Sequence, residues 1–376
     1  YGRFDSASGA MHYPGNPWMM NLHYEFKLKN HVRAGFTVEK DPGENLFKES
    51  NRNGFDFNSG FVMIEQMGFL KTLIAGDYRL AFGQGLTLWS GAGAGKSSLA
   101  LNTVKRQDSP RAFTSNDENN YFRGIAASTV YRNFTLSLFF SSKKRDANIT
   151  DTLDGKVYFS SFQESGYHRT TAEIHDERSV RETMLGGNIH FRNSFMKVGA
   201  TLVSCTFDKH MEAGDDPGDR NDFSGNYLMN AGLDYSLNYR KIQAFGEFSY
   251  GNEKFATLHG LLMHVNKYAA FSLVYRNFAP GYFALHSSAF SERADDSNEE
   301  GFYVGTVLHP VADISIAAYA DFYRFPWLKY NTSAPSSGSD YLLQADYTPG
   351  KVKMLLRFRA GSDPEDYTDE VSQIPV

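Results

Sequence analysis

Along residues 227–239 apolar and polar positions alternate one for one. Tyr227, Met229, Ala231, Leu233, Tyr235, Leu237 and Tyr239 are separated by residues that include Asn230, Gly232, Asp234, Ser236 and Asn238. A period of two puts the first set on one side of an extended chain and the second on the other, so the stretch reads as a β-strand with one greasy and one wet face. The same alternation runs through 22–28, 32–38, 314–322 and 352–358, and no comparable stretch places apolar residues at i, i+3, i+4 and i+7. The pattern predicts about sixteen strands. They lie near 21–28, 32–39, 61–67, 70–82, 121–131, 134–142, 184–192, 195–206, 227–238, 241–251, 255–265, 268–278, 301–308, 313–323, 340–347 and 351–360. Most are longer than the ~5–6 residues usual in soluble sheets and match the ~9–11 that a tilted strand needs to cross a bilayer.

The connections carry a second rhythm. Lys29-Asn30, Met67-Gly68, Arg132-Asn133, Arg192-Asn193-Ser194, Tyr239-Arg240, Asn266-Lys267, His309-Pro310 and Thr348-Pro349-Gly350 read as tight turns. Between them fall longer segments at 40–59, 90–120, 143–183, 207–226, 279–300 and 324–339, with the short link Gly251–Lys254 as the exception. Tight turns at one end and large loops at the other are the form of an outer-membrane barrel. A soluble barrel alternates too, but about eight strands suffice to fill an apolar interior. Sixteen strands with the apolar face inward would leave an empty greasy cavity, whereas the reverse orientation encloses water. The expectation is therefore an all-β, antiparallel transmembrane β-barrel of about sixteen strands, forming a single domain over 1–376, with short periplasmic turns and long extracellular loops. A soluble all-β sandwich is the competing reading.

Composition narrows the field. The 376 residues carry a formal charge of −5, 41% are apolar and 15% aromatic. That excludes a disordered chain and argues against a nucleic-acid partner, which calls for a basic stripe. No run approaches the ~18 apolar residues of a membrane helix. Cys205 is the only cysteine, which excludes an internal disulfide. The chain starts at Tyr1 and shows no signal peptide, so a mature or trimmed piece is expected.

Four blocks point to a family: Gly76-Asp77-Tyr78-Arg79-Leu80-Ala81-Phe82-Gly83-Gln84-Gly85-Leu86-Thr87-Leu88-Trp89-Ser90-Gly91, the stretch 114–124, Gly166-Tyr167-His168-Arg169-Thr170, and Phe325-Pro326-Trp327-Leu328-Lys329-Tyr330. Together they resemble a family of uncharacterised outer-membrane β-barrel proteins of Bacteroidetes-type bacteria, whose members usually carry an N-terminal periplasmic helix-hairpin-helix module. The resemblance covers nearly the whole chain and implies a fold and a location, but no activity. The module is absent here, and Ser372-Gln373-Ile374-Pro375-Val376 is not a strand ending in an aromatic. Strands are accordingly expected to be missing at the termini.

By parity, Arg33, Asn230, Asp234, Asn238, Gln243, Glu247, Asp313, Asp321, Gln344, Asp346, Lys353 and Arg357 face the lumen. They either hydrate the wall or set a field that selects permeants; both signs are present, so no strong ion preference is expected. Tyr24, Tyr239, Tyr275, Phe325 and Trp327 are candidates for interfacial aromatic belts, and the loop rings Tyr121, Tyr282 and Tyr330 for cation or sugar stacking. The longest loop, 143–183, holds a capping box at Thr170-Thr171-Ala172-Glu173 that would open a helix through Ile174–Arg181. Carrying Glu173, His175, Asp176, Glu177, Arg178 and Arg181, it either narrows the mouth as a constriction loop or stands as a solvated outer loop. Gly76, Gly83 and Gly85 mark a barrel corner or, in a sharper reading, room for an inward-folded loop.

Other motifs give little chemistry. Ser90-Gly91-Ala92-Gly93-Ala94-Gly95-Lys96-Ser97 lacks the first glycine of a phosphate loop and reads as a flexible rim loop. The acidic run 215–222 lacks calcium-loop spacing. No zinc-hydrolase or nucleophile-elbow signature is present, though a Ser/His pair assembled across strands leaves no sequence trace. The expectation is no catalytic residue, no metal and no cofactor. The expected partners are outer-membrane lipid and, in the assembly reading, other envelope proteins. A small-solute channel is the first functional expectation, a structural or assembly component the second, and an outer-membrane enzyme a distant third.

Overall fold

The computed structural model describes residues 13–366 apart from 30, 49–50, 53, 92–94, 107–108 and 152–156. Asn30, Ala92–Ala94 and the terminal Ser372–Val376 thus lie outside the described residues. The strands are β1 (Met20–Leu28), β2 (Val32–Lys40), β3 (Phe57–Met67), β4 (Leu70–Arg79), β5 (Arg111–Ala112), β6 (Phe122–Tyr131) and β7 (Phe134–Arg145). They continue as β8 (Ala147–Asp151), β9 (Val157–Phe162), β10 (Val180–Arg192), β11 (Met196–Met211), β12 (Gly225–Tyr239) and β13 (Ile242–Gly251). The last are β14 (Lys254–His264), β15 (Ala269–Phe278), β16 (Glu299–Val311), β17 (Ile314–Phe325), β18 (Ser336–Tyr347) and β19 (Met354–Ser362).

All but β5, β8 and β9 pair in sequence as one antiparallel meander, which gives the sixteen wall strands that the alternation predicts. The extra β5 pairs with the end of β4, and β8 and β9 form a hairpin beyond β7. Among the described residues β1 and β19 do not pair with each other. Backbone groups in hydrocarbon must be paired, so this seam is where the wall has to be completed, by the two edges or by strands between them.

The short–long rhythm holds. Asn252-Glu253 joins β13 to β14 with both residues in the left-handed region (φ 49 and 59), which makes the short link at the loop end. Several strands run further towards that end than the alternation indicates: β3 starts at Phe57, β10 at Val180 and β18 at Ser336, while β11 reaches Met211. Hydrogen bonding to a neighbour extends them where apolar patterning has already stopped.

The two faces are sharply different. On β7, Phe134, Leu136, Leu138 and Phe140 are exposed, while Thr135, Ser137, Phe139 and Ser141 are buried. On β12, Leu233 is 60% exposed and its neighbour Asp234 only 4%. In water the outward Tyr227, Met229, Leu233, Leu237 and Tyr239, each about half exposed, would forfeit on the order of 4–8 kcal/mol from this strand alone, at half of the ~1.5–3 kcal/mol of a fully exposed side chain. Hydrocarbon removes that cost. Tyr24, Tyr239 and Tyr275 point out, as belt residues should, but Phe325 is buried because it has the inward parity of Tyr323.

The inner face differs from a simple wet wall. Phe139, Phe245, Leu258, Val274 and Tyr303 point inward and are buried. Two apolar clusters fill the interior, one against β3–β12 and one against β13–β18. Neighbouring strands bring rings together there, as Tyr78 on Phe122 and Tyr303 by Tyr319, and they also pack on chain that has entered from the loop end.

Candidate functional site

The entering chain is the connection 80–121. It leaves β4 at Arg79 and turns inward through Gly83 (φ 62) and Gly85 (φ 90). Glycine is required at both by sterics as well as by φ. A Cβ at Gly83 would lie 2.5 Å from a Glu247 oxygen, and one at Gly85 2.6 Å from the Ser288 carbonyl. Glu247, on β13, is fully enclosed and receives the backbone N–H groups of Gln84, Leu86 and Thr87 and the Thr87 hydroxyl, at 2.5, 3.2, 2.9 and 2.6 Å. The Tyr282 hydroxyl donates to the Leu86 carbonyl at 2.8 Å, and the Tyr303 hydroxyl to the Ala100 carbonyl at 2.8 Å. A second inward segment, 279–298, lies against the first: Trp89 N–H donates to the His286 carbonyl at 2.6 Å. Its His286 side chain reaches Glu182 on β10 at 3.1 Å.

Further along, Lys96 is held by Asp321 (3.0 Å), Asp340 (3.4 Å) and Glu292. Asp321 also takes a bidentate pair from Arg276, both at 2.9 Å, and Arg276 meets Glu299 as well. The expected flexible rim loop is therefore corrected at Lys96: a lysine with three carboxylates in reach is drawn into the interior, where its side chain is 6% exposed. Among the described residues its side chain is met by carboxylates, which would repel a phosphate.

On the wall from β3 to β10 the apolar cluster leaves openings beside it. Three cavities follow one another from the loop end to the tight-turn end. The first, about 830 Å³, is lined among others by Arg79, Arg145, Glu164, His286, Arg293 and Asp295. The second, about 460 Å³, shares Arg79 with it and adds Arg33, Glu65, Lys71 and Arg111. The third, about 350 Å³, shares Lys71, Ser109 and Arg111 with the second and adds Arg106, Arg132, His190 and Arg192, reaching the tight turns at 132–133 and 192–193. Shared lining residues make these one chain of openings beside β3, β4, β6 and β10.

The loop 143–183 builds a cap at the loop end. Its helix α1 (Thr171–Asp176) has Thr170 as N-cap, with the reciprocal Thr170–Glu173 capping box in place. It is shorter than expected and ends before Arg178, whose φ of 48 breaks the helical path. Next to it, His168 lies between Asp56 (2.5 Å) and Asp146 (2.8 Å). Burial alone would push this imidazole down; the Asp146 and Asp56 carboxylates against its two nitrogens outweigh that and push it up to about 11. Nearby, burial and the Asp56 charge push Glu118 up to about 9 and Glu44 to about 7. Glu44, Asp56 and His168 place one donor atom each within 4.8 Å of one another. That is a metal-like grouping, in which the imidazolium supplies the positive charge between the carboxylates.

The residues expected to face the lumen separate into three sets. Asn230, Glu247 and Asp321 hold the inward segments, Asn230 through the Phe283 carbonyl at 2.8 Å. Arg33 pairs with Glu25 (2.8 Å), Asp234 with Lys197 (3.1 Å), Gln243 with Ser236 (2.9 Å) and Arg357 with Gln344 (2.8 Å), all across neighbouring strands. Gln344 also donates to Asp346 at 2.7 Å. Asn238 is exposed at the last turn of β12, while Asp313 and Lys353 lie in connections rather than on the wall, where parity has no meaning.

Of the loop residues, Glu173, His175, Asp176 and Arg178 sit in or beside α1 and line none of the three cavities. Arg181 is on the outer face of β10, between inward Val180 and Glu182. Tyr121 and Tyr282 are buried and Tyr330 is exposed. Sequence reading missed Lys71, Arg79, Arg106, Arg111, Arg132 and Arg192. Half of these lie in loops or turns that carry no alternation, so only the inward course of 80–121 brings them to one wall.

No family model matches the chain, and no curated relative does. Among solved structures it is similar to OccK2 (OpdF) of Pseudomonas aeruginosa, at 11% identity and a TM-score of 0.48 over 94% of this chain and 87% of that one. It is also similar to OccAB4 of Acinetobacter baumannii, at 8% identity and a TM-score of 0.45 over 97% and 91%. A third similar structure is the anion-selective porin from Comamonas acidovorans, at 12% identity and a TM-score of 0.38 over 85% and 84%.

Proposed function

We propose that this chain is a small-solute channel of a Gram-negative outer membrane, with its long loops outside and its tight turns in the periplasm. One observation carries the reading: the three cavities joined by Arg79 and then by Lys71, Ser109 and Arg111, running from the loop cap to the turns. Solutes pass beside the anchored segment rather than through an empty cylinder. The inward segments make the path narrow, so unit currents are small. Outward rows of Leu and Phe supply the contact with lipid. The resemblance to Bacteroidetes-type barrels belongs to the same proposal, as the source of the membrane. Planar-bilayer recording of the reconstituted chain tests it: discrete current steps support a channel, and a silent bilayer with the wall fully inserted overturns it.

A second reading rests on the filled part of the interior. Two apolar clusters and a caged Lys96 suit a rigid scaffold that docks other envelope proteins. Stoichiometric copurification of such a partner, without conductance, would favour it.

A further inference from the structure

We infer that the innermost cavity is a binding site for small oxyanions and gives the channel its preference; this rests on the permeation path proposed above. The cavity is lined by Lys71, Arg106, Arg111, Arg132, His190 and Arg192, and by no acidic residue among those described. Lys71, Arg106, Arg111 and Arg132 make no ion pair with any described residue. All four are exposed to the opening, whereas the buried cations elsewhere are satisfied by the protein itself: Arg276, Lys96 and Arg145 by carboxylates, and Lys40, Lys105 and Lys143 by backbone carbonyls. Four cations gathered in one recess, with no counter-charge on them among the described residues, raise the local concentration of anions by on the order of tenfold or more. Guanidinium groups offer forked N–H donors that match the oxygens of phosphate, sulfate or carboxylate.

The neighbouring cavity continues this lining with Arg33, Lys71, Arg79 and Arg111 against Glu65. The first cavity, at the loop end, is mixed, with Asp117, Glu164, Glu292 and Asp295 beside Arg79, Arg145 and Arg293. The field therefore becomes more positive towards the periplasmic end, and the selecting site is the innermost one. A volume of about 350 Å³ takes one small oxyanion with its water, not an oligomer.

The test uses the full chain in two settings. Inorganic phosphate and sulfate are titrated calorimetrically into detergent-solubilised protein, comparing the wild type with the double variant Lys71→Gln/Arg111→Gln. The site predicts saturable heat that falls at least about tenfold in affinity in the variant, with choline chloride giving none. No saturable heat, or equal affinity in the variant, overturns the site. In a bilayer under a KCl gradient, the reversal potential should mark chloride as the more permeant ion and move towards zero in the variant. Current without ion preference overturns the selectivity and leaves the channel standing; phosphate binding without current does the reverse. Heat-resistant mobility on a gel confirms that the variant is folded, and Arg132→Gln, on a tight turn, provides an independent replacement.

Discussion

The two sides of the barrel interior use charge in opposite ways. On the wall from β13 to β18, carboxylates face inward and are consumed in holding chain: Glu247 takes three backbone N–H groups and a hydroxyl, and Asp321 and Asp340 hold Lys96. On the wall around β3, β4 and β6, cations line open cavities instead. Both sides are packed by the entering chain, but only the basic side keeps a row of openings through to the tight turns. The acidic side provides rigidity, because acceptors can be saturated by backbone donors of an inserted segment. Among the described residues, Lys71, Arg106, Arg111 and Arg132 meet no comparable set of acceptors, so their charges remain available to a solute.

Four experiments would break or sharpen that contrast. The largest effect is expected for Glu247→Ala, which strands three buried N–H groups. At ~1–3 kcal/mol for each unsatisfied group, the folded state should lose about 3–9 kcal/mol in urea unfolding from lipid vesicles, and unit conductance should rise as 80–121 comes loose. Unchanged stability would mean the segment is not anchored there.

Leu233→Arg comes next, at ~2–4 kcal/mol for a cation facing hydrocarbon near midplane. Parity alone suggests that Asp234→Arg would be harmless. The structure corrects that expectation, since Asp234 is buried beside Lys197 at 3.1 Å and against Gly199. Asp234→Asn, which keeps the shape, should insert normally where Leu233→Arg fails; equal failure of these two in a detergent-to-lipid folding assay would reverse the face assignment. Gly83→Ala should cost about 1–3 kcal/mol through backbone strain at φ 62, and should loosen the same segment that Glu247 holds.

The smallest effect concerns the cap. His168, Glu118 and Glu44 all have raised values, near 11, 9 and 7. The folded cap therefore binds protons more tightly than the unfolded chain, and its stability falls as pH rises. The imidazole contribution is complete below about 6.5 and lost towards 11, while the carboxyl contributions fade from about 4.5 up to 7 and 9. Proteolysis of the loops 163–179 and 41–56, normalised to an unfolded peptide, should quicken between pH 6 and pH 9, with the barrel wall unaffected. Faster cutting at the acid end would contradict this arrangement of charges.

Much of the wall was legible because hydrocarbon and water impose a strict period of two. The runs 227–239 and 134–142 required nothing else, and parity along 241–251 assigned Glu247 inward. The inward segments were less legible. Gly83 and Gly85 hinted at an inward turn, but a bulge in the wall needs the same residue. The near-phosphate-loop at 90–97 was misleading, because a lysine caged by Asp321 and Asp340 depends on strands more than two hundred residues away. Likewise His168 meets Asp56 across 112 positions, a separation that no local pattern encodes. The basic recess escaped notice for the same reason: Arg106 and Arg111 lie in a connection and Arg132 and Arg192 near turns, so parity assigned them no face.

The most direct measurement is labelling of single-cysteine variants in sealed lipid vesicles with a charged, membrane-impermeant thiol reagent. Lys71→Cys and Arg111→Cys should react, because they face water inside the wall. Leu138→Cys and Leu233→Cys should stay unlabelled in hydrocarbon, as should the native Cys205, which is buried. Labelling at 138 and 233 with protection at 71 and 111 would contradict the account.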